Sequence, residues 1–165
     1  MKKILLLGLF FTCLGSLSAQ KVEHISDGVK IYLDTQDVTQ EVQFYSEGIV
    51  RVVKYPGTLK PEKKSYSVIM SPRQVELIRA DDGKNIVLST NNVVVRIDKT
   101  TGKIAFCSRT NEPLLVEKEY GVSFVPVKDG RKDSYKISQD FKLDKDEIIY
   151  GLGQQQTGML NQRGQ

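Results

Sequence analysis

Histidine and cysteine are scarce in this chain, which holds one of the first, His24, and two of the second, Cys13 and Cys107, in 165 residues. A protein metal site needs several converging ligands, and a serine or cysteine nucleophile usually needs a positioned base. His24 alone supplies neither and reads as a surface histidine, so no metal site is expected. Long apolar runs are also missing. The longest, Ile4 to Phe11, is well short of the ~20 residues of a membrane-spanning helix. It follows Lys2 and Lys3 and leads into the small residues Ser16, Ser18 and Ala19, the layout of a secretory signal peptide cleaved after Ala19. Lipid attachment at Cys13 is disfavoured, because Thr12 stands where a small residue is wanted.

Removal of residues 1–19 leaves one ordinary domain, 20–165, and lowers the formal net charge from +4 to +2. The remaining lysines and arginines form no run or stripe, so no nucleic-acid partner is expected. Cys107 is then the only thiol, which excludes an intrachain disulfide in the oxidising compartment that export implies. It reads as a buried free cysteine. The expected location is periplasmic, cell-surface or secreted, with no membrane span.

Amphipathic helical stripes are absent as well. No window keeps an apolar i, i+3, i+4, i+7 pattern over ~10 residues. What recurs is strand alternation bounded by turns. Val29, Ile31 and Leu33 alternate after Asp27-Gly28, and Val42 and Phe44 lead through Ser46-Glu47-Gly48 into a returning strand, Ile49 to Tyr55. Asn85–Ser89 and Val93–Asp98 flank Asn91-Asn92, and Thr101-Gly102 turns the chain into Lys103–Cys107. Asp82-Gly83 and Asp129-Gly130 are further tight-turn dipeptides. The segment from Thr58 to Ser65 reads as a loop. The expectation is an all-β antiparallel β-sandwich rather than a parallel α/β fold.

Carboxylates gather at Asp81-Asp82 and from Asp140 to Glu147. Retaining glycosidases need two carboxyl groups about 5 Å apart on a stiff frame, which neighbours at turns do not provide. The Asp140–Glu147 group reads as a solvated loop without the spacing of a calcium-binding EF-hand. The segment from Tyr150 to Gly158 contains Gly151-Leu152-Gly153. It is neither a dinucleotide fingerprint, since Gly158 comes too late, nor a phosphate loop, since Gly-Lys-Ser/Thr is missing. It reads as a glycine-rich turn where backbone can approach a sugar while Gln154, Gln155 and Asn161 offer donors and acceptors to its hydroxyls.

Glu147-Ile148-Ile149-Tyr150-Gly151-Leu152-Gly153-Gln154 resembles the signature closing the N-terminal domain of glycoside hydrolase family 31, and Thr157 to Gly164 looks most like its α-xylosidase and related α-glucosidase branches. Ile49-Val50-Arg51-Val52, Val87-Leu88-Ser89-Thr90, Val94-Val95-Arg96-Ile97 and Lys99 to Ile104 resemble upstream stretches of the same domain in the same order. The resemblance implies a galactose-mutarotase-like sandwich beside a (β/α)₈ barrel whose two aspartates perform retaining hydrolysis of α-linked sugars without a cofactor. Those aspartates would lie beyond Gln165, so no catalytic residue is carried over to this chain, and the carbohydrate would be met through the barrel. The oligomeric state is left open. The alternative is a free-standing carbohydrate-binding or structural sandwich, because fold alone does not assign function.

Overall fold

The computed structural model describes residues 21–58, 60, 65–151, 153 and 158–164. Among them there is no helix, and hence none long and apolar enough to cross a membrane. The described residues form ten strands in two antiparallel sheets. The first runs β1 (Lys21–Ile25), β2 (Gly28–Leu33), β3 (Val38–Ser46) and β4 (Ile49–Pro56) in chain order. The second is also a meander: β5 (Ile78–Asp81), β6 (Asn85–Ser89), β7 (Val94–Asp98), β8 (Ile104–Cys107), β9 (Pro113–Asp129) and β10 (Lys132–Lys142). The all-β sandwich read from alternation is the fold observed.

Alternation explains the layering. Val29, Ile31, Leu33, Val42 and Phe44 leave one sheet on one face; Ile86, Leu88, Val95, Ile97 and Ile104 leave the other, and together they form a single buried cluster. Each such side chain contributes roughly 1.5–3 kcal/mol on burial. Turn chemistry sets the corners. Asp98 accepts hydrogen bonds from the amides of Thr100 and Thr101 at 2.9 and 2.8 Å, and Asp82 accepts them from Lys84 and Asn85 at 3.0 and 2.6 Å, the side-chain mimic of a backbone turn. Thr90 joins the sheets at one end, its hydroxyl donating to the Glu47 carbonyl at 2.5 Å.

Gly28 is required by close approach. A Cβ at that position would stand 1.8 Å from the Val42 carbonyl oxygen across the β2–β3 ladder, and backbone cannot step aside as a flexible side chain does. Gly28→Ala is therefore expected to cost about 3 kcal/mol, the upper end of ordinary overpacking. Thermal unfolding of the variant beside wild type checks it; an unchanged melting temperature contradicts it.

Two readings from the sequence are borne out and one is corrected. Cys107 is buried and free, as expected. Asp140, expected in a loop, lies inside β10, opposite a bulge in β9; the rest of the acidic group follows the strand and is exposed. β1 carries His24 as an exposed edge-strand residue that no turn signal had marked.

Candidate functional site

Three places combine polar chemistry with shape. The first lies between the sheets where β4 faces β9. Lys54 projects inward from β4 and its ammonium donates to both oxygens of Glu117 at 2.7 Å. Both side chains are almost wholly buried, 5% and 3% exposed. Glu117 also accepts from Gln139 Nε2 at 2.9 Å and from the Ile104 amide at 2.8 Å. Its four contacts come from β4, β8 and β10, so one carboxylate ties both sheets together. Burial pushes the Lys54 ammonium below the ordinary lysine value, opposed by the charge and hydrogen bonds of Glu117.

Local backbone makes room for this carboxylate. Between Glu117, opposite Phe141, and Val122, opposite Gln139, β9 carries four residues where β10 carries one. Glu119 and Gly121 in that bulge have φ of 49° and 77°, and a Cβ on Gly121 would stand 2.3 Å from Glu117 Oε2. Glycine is thus demanded twice, by positive φ and by contact.

The second place is a cleft of about 890 Å³ between the edges of β1 and β5, lined by Val22, His24, Arg79, Asp81, Ile86 and Lys99 among others. Lys99, Asp81 and Arg79 are engaged with one another or with backbone. Lys99 donates to Asp81 at 2.7 and 2.8 Å, and Arg79 donates to the carbonyls of Ile25 and Ser26 at 2.9 and 2.8 Å. The Lys99 hydrogen bond, then the Gly83 amide, holds the Asp81 carboxyl below the usual carboxylate range. That is opposite to what a general acid needs.

The third is the loop after β10. Arg163 gathers it, its guanidinium donating to the carbonyls of Asp144, Lys145 and Glu147 at 2.6, 2.9 and 2.8 Å. The Gln162 amide donates to the Ile149 carbonyl at 2.8 Å. Asn161, a candidate sugar contact by sequence, places its Oδ1 within 3.3 Å of the Ile149 amide and 3.0 Å of the Arg163 amide; its acceptor holds the loop. Gln154 and Gln155 lie outside the described residues. Outward from the loop point Tyr150 and Leu160, 66% and 80% exposed.

Sequence reasoning missed the Lys54–Glu117 pair, whose members are 63 positions apart with no local pattern joining them. It missed Arg163 too, whose carbonyl partners Asp144, Lys145 and Glu147 stand far upstream with no local pattern joining them to it. Among the described residues, no group of three or more histidine, cysteine, aspartate or glutamate side chains could hold a metal ion.

A buried carboxylate satisfied from three strands, turn aspartates tied to amides and a loop clamped on itself are what the sandwich builds from these polar side chains. Residues 39–165 match the family model described as the glycosyl hydrolase 31 N-terminal galactose mutarotase-like domain, and the chain belongs to that family. Among solved structures it is similar to an α-xylosidase of glycoside hydrolase family 31 from Xanthomonas citri, with 28% identity and a TM-score of 0.76, covering 86% of this chain and 16% of that one. A second family 31 α-xylosidase, from a soil metagenome and complexed with xylose, shares the fold at 16% identity and a TM-score of 0.66, covering 86% of this chain and 23% of that one. The chain thus spans less than a quarter of the length of either α-xylosidase.

Proposed function

We propose that this chain is the N-terminal sandwich of an exported α-glycosidase, a retaining hydrolase of α-xylosides or α-glucosides whose reacting carboxylates lie in a barrel beyond Gln165. The observation that carries the reading is the family match over residues 39–165, supported by 28% identity to an α-xylosidase along most of the chain. In such a protein the sandwich supports the barrel and needs no cofactor. Retention requires two carboxyl groups about 5 Å apart, one attacking the sugar and the other protonating the leaving oxygen.

The test is the anomer released. The longer polypeptide, given an aryl α-xyloside or α-glucoside, is expected to yield the α-sugar first, followed by proton magnetic resonance during early turnover. First release of the β-sugar contradicts the retaining mechanism, and failure to cleave either substrate contradicts the enzyme reading.

Export is part of the proposal and rests on Lys2, Lys3, the apolar run Ile4–Phe11 and the small residues up to Ala19. Mass spectrometry of exported protein is expected to find Gln20 at the N-terminus. A form retaining Met1, or one starting at a lipidated Cys13, contradicts it.

A further inference from the structure

The cleft between the edges of β1 and β5, about 890 Å³, has the size of a small-ligand site, for which roughly 300–1,000 Å³ is usual. Its floor is apolar. Ile86 belongs to the buried core cluster, and Val22 packs against that cluster from β1. Val22 and His24 stand two apart on the strand and so share the face that looks into the cleft. Lys21 pairs with Tyr32, which puts the turn carrying Asp34 and Thr35 at the start of β1, and Ile25 and Ser26 at its finish.

Hydrogen bonds set the polar groups in place before any ligand arrives. Arg79 crosses from β5 to the carbonyls of Ile25 and Ser26 and closes that end. Two residues along β5, Asp81 is held by Lys99 and by the Gly83 amide. These bonds do not exhaust the pair. An ammonium has three donors and each carboxylate oxygen two lone pairs, and the Asp81 and Lys99 side chains remain 59% and 24% exposed. An acceptor and a donor 2.7 Å apart match two neighbouring hydroxyls, one donating to the carboxylate while the next accepts from the ammonium. Charge argues against other ligands. Arg79 and Lys99 balance Asp34 and Asp81 across the lining, so a phosphate or carboxylate finds no net positive field to draw it.

We propose that the cleft between β1 and β5 binds a neutral oligosaccharide, with Asp81 and Lys99 reading adjacent hydroxyls and Val22 and Ile86 lying under the C–H face of a sugar ring. Thr35 and Thr100 add hydroxyl groups from the turns after β2 and β7. No phenylalanine, tyrosine or tryptophan is among the lining residues, so the site lacks a stacking platform and its expected Kd is about 1 mM. The ligand class follows from the cleft itself; the choice of probes rests on the glycosidase reading above.

The experiment titrates maltotetraose and xylotetraose into the isotope-labelled chain and follows amide shifts, then measures amide hydrogen exchange of the longer polypeptide with and without each sugar. Shifts and protection are expected at Val22–His24, Arg79–Asp81, Lys99 and Thr100. Asp81→Asn combined with Lys99→Met is expected to weaken binding at least about tenfold. That change touches only an exposed ion pair, worth little to folding, and asparagine keeps the acceptor that the Gly83 amide uses. Thr100→Trp, which narrows the cleft from an exposed turn, is expected to weaken binding as much. Absence of binding by either sugar overturns the proposal, as do shifts that map elsewhere and ignore both variants. Tighter binding of tetragalacturonate overturns the neutral ligand. Binding by the short chain with no protection of the cleft in the longer polypeptide overturns it in favour of a later segment filling the space. Hydrolysis of aryl α-xylosides and α-glucosides by the longer polypeptide is scored separately: cleft binding without turnover sinks only the enzyme, and turnover without cleft binding sinks only this site.

Discussion

Glu117→Ala is expected to lower the stability of the sandwich by about 3–5 kcal/mol, the cost of leaving a buried charge without its partner. For a domain of this size that is a fall in melting temperature of roughly 10 °C. The loss has three parts. Lys54 keeps an ammonium group that is 5% exposed and no longer faces an anion; the Ile104 amide and the Gln139 side chain each lose an acceptor. The pH dependence follows from the sign of the Lys54 shift. Burial already holds its folded value below 10.5, and removing Glu117 takes away the interactions that oppose that fall. The folded variant therefore binds fewer protons than the unfolded one across the interval between the lowered value and 10.5, and its stability rises with pH through that interval. The deficit is full below the lowered value and narrows as the pH rises from there toward 10.5. Lys54→Met combined with Glu117→Leu removes both charges while keeping similar bulk, and is expected to return to within about 1–2 kcal/mol of wild type. Urea unfolding of the four proteins of this cycle is the measurement. An additive double variant, losing as much as both single changes together, contradicts the account.

How far the fold could be read in advance depended on whether a strand had one face in the core. β2, β6, β7 and β8 do, and their alternating valines, isoleucines and leucines mark them within a residue or two of their observed bounds, whereas β3, read from Val42, begins at Val38. β10 does not. Every residue of Lys132–Lys142 is exposed, and although Tyr135, Ile137 and Phe141 alternate along it, Asp140 reads from sequence as part of the acidic loop that follows. β9 hides its alternation differently, because the bulge before Val122 shifts the phase of the inward residues midway along a strand of 17. The polar interior was invisible for a related reason. Gln40 occupies an inward position of β3, fully buried, with neither amide atom hydrogen-bonded, and Lys54 and Glu117 occupy inward positions on β4 and β9; a pattern that equates inward with apolar passes over all three. Family membership was legible because the Tyr150-Gly151-Leu152-Gly153 segment and the upstream strands occur in order. The candidate sugar contacts rest on position and side-chain chemistry, and Asn161 sits where its oxygen caps backbone amides.

The purified chain, residues 20–165, is expected to release aryl leaving groups from α-xylosides and α-glucosides at the uncatalysed rate, at least roughly a million-fold below the longer polypeptide. The buried and clustered carboxylates of the sandwich are already engaged. Retaining hydrolysis needs one ionised carboxylate free to attack and one protonated carboxyl free to donate, both aimed at the same glycosidic bond. Glu117 cannot attack, because Lys54, Gln139 and Ile104 occupy its two oxygens inside the core. Glu41 is buried on the outer face of β3, accepts from the Tyr55 hydroxyl at 3.1 Å and pairs with Lys60; burial, followed by the bond to Glu41, pushes that hydroxyl up to about 12, so it too stays protonated and bound. Asp81 and Asp82 are accessible, but the Lys99 hydrogen bond on the first and the Asn85 amide on the second hold both below the usual carboxylate range. Neither can carry the proton a leaving group requires near neutral pH. Glu147 accepts from the Asp144 amide at 3.0 Å and helps close its own turn. A continuous assay with 4-nitrophenyl α-xyloside and α-glucoside, run beside the longer polypeptide at equal molarity, decides the matter. Turnover by residues 20–165 within tenfold of the longer form would mean that the sandwich itself holds the reacting pair, and these structural assignments of its carboxylates would be wrong.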